Sequence, residues 1–312
     1  MTETNKRIDE CVEFITKFLN HDYFKKKRYK DNLEKLRDFS FLNLTTLNND
    51  YTDIDDHTKR IYGNFIIKTF ETREPQYIYR NVHKGNPYED CDDMNLIRAI
   101  YYLIYHKTLP DISWNDIAWE IKNGHITKTL ENKKYRGETI NTFNTLINEL
   151  DSPYNYKTFF KSDKELTEEL IPQFREKVFT VGNFMFLPHI YNSGFTLNGY
   201  KGFCLGDYSD RFLKSLKNKD DDTINKIIEG NELCNDFDRF IEVNYLQDYI
   251  ENRELSNFEP HYTHYNNFDK DNVSEREKEE YTKFVRKYIT NVTELINKRF
   301  DRIKKELKRY IS

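Results

Sequence analysis

The last forty residues constrain the fold more than any other part of this sequence. Tyr281, Val285, Tyr288, Ile289, Val292, Leu295, Ile296, Phe300, Ile303, Leu307 and Tyr310 recur at intervals of three and four, the repeat that lines one stripe of an α-helix with apolar side chains. Ser274 followed by Glu277 is a capping-box signature at the start of that run. A helix over 275–311 would reach roughly 55 Å at 1.5 Å per residue, long enough to serve as a spine for the rest of the chain. Its opposite face carries Lys283, Arg286, Lys287, Lys298, Arg302, Lys305 and Lys308 among Glu277, Glu280, Glu294 and Glu306. This reads first as a solvated face with i,i+4 ion pairs. A face that tracks nucleic acid and a coiled-coil seam are the alternatives.

Other segments repeat the helical period. Ile8, Cys11, Val12, Ile15, Phe18 and Leu19 make an apolar stripe near the N-terminus, and a second helix is expected across Leu33 and Leu36. Residues 43–58 are polar and read as loop; 61–70 and 77–82 are β-branched and aromatic enough for strands, although the first could equally be helical. Met94 to His106 is apolar on nearly every side, the mark of a buried helix rather than a surface one. Ser113 is read as the cap of a short helix with Ile121 on its inner face, ended by Gly124. A further helix is expected from near Thr139 to Leu150, stopped by Pro153.

Residues 178–206 break this pattern. In a chain that is 33% charged they contain one formal charge, Lys201, and half of all ten glycines. Glycine clustered with aromatic residues describes a tight, mostly buried loop system. Val178–Val181 and Phe184–Leu187, separated by Gly182-Asn183, are expected to form a short β-hairpin near 178–187. Asn183, His189, Lys201, Asp207 and Arg211 are the candidate catalytic residues, as polar groups that could converge in an apolar, water-poor pocket. The competing account assigns Asp207 and its neighbours to the first turn of a helix, where the dipole favours carboxylates. Asp238-Arg239-Phe240 and Arg299-Phe300-Asp301 repeat the D-R-F theme, which Arg–Asp pairs between neighbouring helices would explain.

The order Val181-Gly182-Asn183-Phe184-Met185-Phe186-Leu187-Pro188, then Lys201-Gly202, Asp207-Tyr208, Asp210-Arg211-Phe212 and Leu246-Gln247-Asp248, resembles a bacterial family of unknown function. That family is common in low-GC Gram-positive genomes and often on mobile elements. The resemblance covers roughly residues 178–303, with Arg136-Gly137-Glu138-Thr139 before it. It implies a cytoplasmic bacterial or prophage protein of abortive-infection type, and implies no reaction.

Three nuclease patterns are matched in part. Gly182-Asn183 with Leu187-Pro188 resembles the tail of HNH endonucleases, but 126–177 has no His to activate water. Pro110-Asp111 with Glu120-x-Lys122 formally matches a PD-(D/E)-x-K pattern, which the helix expected from Ser113 opposes. Arg98 and His106 resemble the Arg/His pair of HEPN ribonucleases, yet on one helix they would lie about 12 Å apart along the axis and about 80° around it. A divalent metal is implied only under a nuclease reading; no cofactor is otherwise expected.

Composition narrows the classes further. Alanine occurs only at Ala99 and Ala118 while Asn, Lys, Ile and Tyr abound, as AT-rich codon usage would impose, so Lys richness by itself says little about nucleic acid. The net charge of −4 removes the global basic field of a dedicated nucleic-acid binder and leaves room for a local patch. Lys25, Lys26, Lys27, Arg28 and Tyr29, preceded by Phe24, form the one dense basic and aromatic cluster, suited to gripping phosphate while stacking a base. Flanked by Asp22 and Asp31, it also reads as a solvated helix face. Four scattered cysteines signal neither a disulfide framework nor a zinc site. The lack of an apolar leader or of about 18 continuous apolar residues argues against secretion and membrane spanning, and a cytoplasmic location is expected.

The expected fold is mainly α with a minor β component, a helical core with the long C-terminal helix and the short hairpin. Residues 1–312 are expected to form one compact unit with a sub-boundary near 151–170. The expected function is recognition of nucleic acid or of a protein partner, with a nuclease built on 183–211 as the alternative.

Overall fold

The computed structural model describes residues 3–20, 24–25, 27–40, 95–109, 112, 121–122, 125–126, 135–140, 160–188, 213, 216–219, 225, 236–251, 254–255 and 274–311. These residues are mainly helical. The longer helices are Glu3–Leu19, Asn95–Thr108, Ile171–Val178 and Glu275–Leu307. By Cα proximity the chain divides into two compact units: 1–138 with 179–191 and 300–312, and 139–178 with 192–299.

The first unit is organised by the helix Asn95–Thr108. All residues from Leu96 to Tyr105 are buried, Arg98 included at 5% exposure. A helix without a solvent face must be covered on several sides. The N-terminal helix Glu3–Leu19 packs against it and presents Cys11, Phe14, Ile15, Phe18 and Leu19 as its buried stripe; Phe14 joins the stripe expected from sequence. Burial pushes the Cys11 thiol up to about 12, so it is no nucleophile. On another side, the Tyr101 hydroxyl donates to the backbone carbonyls of Val181, at 3.0 Å, and Phe184. Both carbonyls belong to the glycine- and aromatic-rich segment.

That segment corrects the expected hairpin. Val178 completes the helix Ile171–Val178, and Val181–Asn183 form a 3₁₀ turn in which the Asn183 N–H donates to the Thr180 carbonyl at 3.0 Å. Only Phe184–Pro188 is extended, lying beside Tyr135–Thr139 in a two-stranded sheet. Thr139 closes that strand, and residues 141–150 of the helix expected from near it lie outside the described residues. A second correction concerns the end of the helix expected from Ser113 to Gly124, of which 113–120 lie outside the described residues. Ile121–Lys122 pairs antiparallel with His125–Ile126, with Ile121 opposite Ile126 and Lys122 opposite His125. This register leaves Asn123-Gly124 between the strands, the dipeptide a tight hairpin favours most. The helical argument against the PD-(D/E)-x-K pattern thus fails at Lys122, while Asp111 and Glu120 lie outside the described residues, as do 43–58, 61–70 and 77–82.

The C-terminal residues close the first unit through charge. Lys304 donates to Asp31 at 2.6 Å and to Glu34 at 3.1 Å, Arg37 pairs with Asp301 at 2.6 Å, and Lys107 pairs with the buried Glu306 at 2.8 Å. Leu36, Ile303, Leu307 and Ile311 are buried.

In the second unit, Ser274 and Glu277 form the expected capping box. The Ser274 N–H donates to Glu277 Oε2 at 2.9 Å and the Glu277 N–H to Ser274 Oγ at 3.3 Å. The helix then packs aromatic on aromatic, Tyr281 stacked on Phe160 and Tyr288 edge-on to Phe174, each pair 5.9 Å between centroids. Asp163 starts the neighbouring helical segment, accepting the Leu166 N–H at 3.0 Å, and is gripped by Arg286 through Nε at 2.8 Å and by a second guanidinium nitrogen. Leu166–Leu170 is a π-helical turn, with the Ile171 N–H bonded to the Leu166 carbonyl. Pro172 follows immediately; it has no N–H to return, and the widened turn accommodates its ring.

The short helix Phe237–Val243 is capped by Asp236, which accepts the Arg239 N–H at 3.2 Å. It ends in a Schellman arrangement. The Leu246 N–H donates to the Ile241 carbonyl at 2.9 Å, and Tyr245 occupies the left-handed region with φ 58°. The fully buried Arg299 donates from Nε to the Asn244 carbonyl at 2.8 Å, a backbone acceptor that lies outside the Asp238-Arg239-Phe240 motif. Gln247–Tyr249 form a 3₁₀ turn, and Ile250–Glu251 pair antiparallel with Glu254–Leu255.

Two predictions follow from these ties. Removing the Tyr101 hydroxyl (Tyr101→Phe) withdraws a donor from buried carbonyls and should cost about 1–3 kcal/mol, measured by chemical unfolding. Hydrogen bonding from Arg286 holds the Asp163 carboxyl below its ordinary 3.8, with burial opposing the shift and the Leu166 N–H and the Arg286 charge adding to it. A lowered folded value makes this stabilisation complete above the ordinary value and lost as the pH falls through the lowered one. The Arg286→Met variant should therefore be less stable than the parent by about 1–2 kcal/mol at pH 6, with the gap closing below pH 3.8 in thermal melts.

Candidate nucleic-acid interface

The basic cluster lies on the first unit and is not a helix. Phe24 and Lys25 form a single 3₁₀ turn, and the chain then bends without regular structure to the turn at 31–33. Phe24 explains why this loop has a defined place. Its ring is 4% exposed and packs edge-on to Phe18 at 5.3 Å, Phe39 at 5.6 Å and Tyr29 at 6.2 Å. Lys35 braces the same ring from above, its ammonium 5.5 Å from the centroid while donating to the Leu19 carbonyl at 2.6 Å and to Asn32 Oδ1 at 2.8 Å. A cation on the last carbonyls of Glu3–Leu19 also complements that helix's dipole. Burial lowers the pKa of Lys35.

With Phe24 as its anchor, the loop turns its charges outward. Lys25, Lys27, Arg28 and Lys30 are exposed and Tyr29 is half-buried. Lys27 reaches Asp38 at 2.6 Å and lies 5.4 Å from the centre of the Tyr29 ring. Lys26 lies outside the described residues.

The acids near this loop decide its net field. Asp31, read from sequence as a neutralising flank, pairs instead with Lys304 at 2.6 Å and Lys308 at 3.4 Å. Burial opposes ionisation of Asp31, but the Lys304 hydrogen bond, the Glu34 N–H and the charge on Lys304 outweigh it, and its carboxyl is held below the ordinary range. Glu34 is held low chiefly by its hydrogen bond from Lys304. Asp38 is occupied by Lys27. Among the described residues no carboxylate pairs with the side chain of Arg28 or Lys30. Nothing local in the sequence announces the Lys304 contacts, which join residues some 270 positions apart.

Of the five candidate catalytic residues, the described residues include only Asn183. It has no exposed surface and sits inside the 3₁₀ turn that Tyr101 holds. His189, Lys201, Asp207 and Arg211 lie outside the described residues. Arg98 is buried and His106 packs against Tyr102 at 5.8 Å on the same helix. The basic face of Glu275–Leu307 is laced with carboxylates, as in Lys298–Glu294 at 2.6 Å and Arg276–Glu280 at 3.1 Å. Among the described residues no group of three or more His, Cys, Asp or Glu is placed to hold a metal ion, and no helix is long and apolar enough to cross a membrane.

Truncating the anchor separates packing from charge. Phe24→Ala should destabilise by about 3–5 kcal/mol, whereas Lys27→Ala breaks an exposed pair and should cost under about 1 kcal/mol; thermal melts of the two variants check both values.

Residues 76–303 match the profile of a family of unknown function, DUF6994. The match covers well over half of the chain, and the protein belongs to that family. No curated protein and no solved structure matches it.

Proposed function

We propose that this protein recognises nucleic acid through the exposed cations of the 24–30 loop, in a bacterial phage-defence role of abortive-infection type. The observation that carries the recognition reading is the capture of Asp31 and Glu34 by Lys304. It leaves Arg28 and Lys30, which pair with no carboxylate among the described residues, as a local positive field on a chain whose net charge is −4, and phosphate backbones respond to such fields through release of counterions. The defence part follows from the resemblance to proteins of low-GC Gram-positive genomes and mobile elements, and from the AT-rich composition. A protein partner is the second kind of ligand that such a module could take. Recognition is favoured over the nuclease reading of 183–211 because Asn183, the described member of that set, has no exposed surface to offer a substrate.

Fluorescence anisotropy with labelled oligonucleotides tests this reading. Three phosphate contacts predict a log–log salt slope of about −2 on single strands and about −3 on duplex. The Lys25→Glu/Arg28→Glu/Lys30→Glu variant should lose most of the affinity and flatten the slope. Titrations indistinguishable from the parent would overturn the reading. The nuclease alternative predicts divalent-metal-dependent cleavage that Asp207→Ala abolishes at unchanged melting temperature.

A further inference from the structure

Resting on that reading, we propose that the loop is one half of a larger phosphate-binding surface. The other half is the C-terminal end of the long helix with the turn after it, acting through Lys305 and Lys308, and the whole grips the nucleic-acid backbone without reading its bases. Contacts between charged groups join the two halves. Lys304 and Lys308 both reach the Asp31 carboxylate, at 2.6 Å and 3.4 Å, and Lys304 also reaches Glu34 at 3.1 Å. The other Glu34 oxygen accepts the Lys30 N–H at 3.3 Å. The Lys308 ammonium thus rests on the residue next to Lys30, and consecutive Cα atoms are only about 3.8 Å apart. Both ends of the chain bring cations to one place.

The partners of these cations decide which of them a phosphate can recruit. Asp31 is satisfied without Lys308, since Lys304 occupies one carboxylate oxygen and the other accepts the Glu34 N–H at 3.1 Å. Lys304 is 12% exposed and committed to both acids, whereas Lys308 is 55% exposed and stands off at 3.4 Å. Lys308 can therefore leave for a phosphate while Asp31 stays neutralised. Lys305 is exposed, and among the described residues no carboxylate pairs with it. Its helical neighbours three and four positions away are Asp301, which Arg37 holds at 2.6 Å, and the cations Arg302, Lys308 and Arg309. Like charges at those spacings cost stability, and a bound polyanion would relieve that cost.

The packing of the helix end limits what it can read. Ile303, Glu306 and Leu307 are buried, so one face of this turn lies in the core of its own unit and the turn cannot sink into a major groove, where base edges are read. Residues 27–30 form neither a helix nor a ribbon. What the two halves offer is an edge of ammonium and guanidinium groups, which suits phosphates at any sequence.

The test measures salt dependence by anisotropy on two duplexes of equal length and unrelated sequence. With Lys305 and Lys308 added to the three loop contacts, the parent's log–log slope should be about −4.5, and Lys305→Gln/Lys308→Gln should return it to about −3, with a loss of between about 10-fold and about 100-fold at about 0.1 M salt. Lys305→Gln alone, which frees no acid to neutralise the loop, should flatten the slope by about 1, and Lys305→Arg should keep the parental slope. Both positions are exposed, so thermal melts of all variants should match the parent. A parental slope of about −3 that the double variant leaves unchanged overturns the extended surface, and a preference above about tenfold for one duplex overturns recognition by backbone alone. If the triple Glu variant still loses binding when the double variant does not, loop recognition stands and only the extension fails; a triple variant that binds like the parent overturns the recognition reading and the extension together.

Discussion

A helix with no solvent face sets the terms for the first unit. From Leu96 to Tyr105 every side chain is buried, so the helix cannot be stabilised by water on any side and other parts of the chain must cover it. Glu3–Leu19 supplies one wall from the N-terminus. The turn at Val181–Asn183 supplies a second, held by the Tyr101 hydroxyl. The C-terminal residues supply an ionic tie at the helix end, where Lys107 meets Glu306. Walls from positions 3–19, 181–184 and 300–311 converge on one helix near position 100, which is why this unit is discontinuous in sequence. Its contacts are long-range, and such contacts repay the entropy of loop closure only when several form together.

The second unit solves a different problem, that of placing polar groups inside an aromatic core. Arg299 is fully buried, and burying a guanidinium costs several kcal/mol unless its hydrogen bonds are made. The Asn244 carbonyl is available to it because the Phe237–Val243 helix ends there, in a Schellman turn that carries Tyr245 at positive φ. A β-carbon in the left-handed region costs about 1–2 kcal/mol, and at the end of this helix that strain is offset by the 6→1 bond from Leu246 and by the acceptor offered to Arg299. Asp163 shows the same economy. One carboxylate caps a helical segment through the Leu166 N–H and anchors Arg286 of the long helix, so protonating it would loosen both.

What was legible in the sequence was local. The capping box at Ser274, the apolar stripe of the N-terminal helix and the buried run at 96–105 each follow from spacing and side-chain chemistry within a few residues, and each is present. The errors also arose locally, where two signals competed. Ser113 with its apolar spacing predicts a helix through Ile121, yet Ile121-Lys122 pairs with His125-Ile126 as strands. Val178 reads as the start of a hairpin strand before Gly182-Asn183, although it completes the apolar face that Ile171 and Phe174 begin. The phase of the preceding helix decided the matter, not the propensity of one residue. The charge network around the basic loop could not be read at all, since Asp31 and Glu34 find Lys304 across 270 positions and nothing near Asp31 indicates that its charge is taken.

That network separates the loop from the family to which the chain belongs. The matched segment, 76–303, contains neither Lys25, Arg28 and Lys30 nor Asp31, Glu34 and Lys304. The field of the loop is therefore set by residues at the two ends of the chain, and family membership argues neither for nor against it. The buried helix, the Tyr101 clamp and the Arg299 tie lie within the matched segment and are architectural. A positive field built from three or four exposed cations on a chain of net charge −4 is short in range, since at physiological ionic strength it is screened within about 8 Å. Contacts of that reach act on groups already at the loop and steer little from a distance. It is the anchoring of Phe24 among Phe18 and Phe39, more than the number of lysines, that gives the loop its defined place.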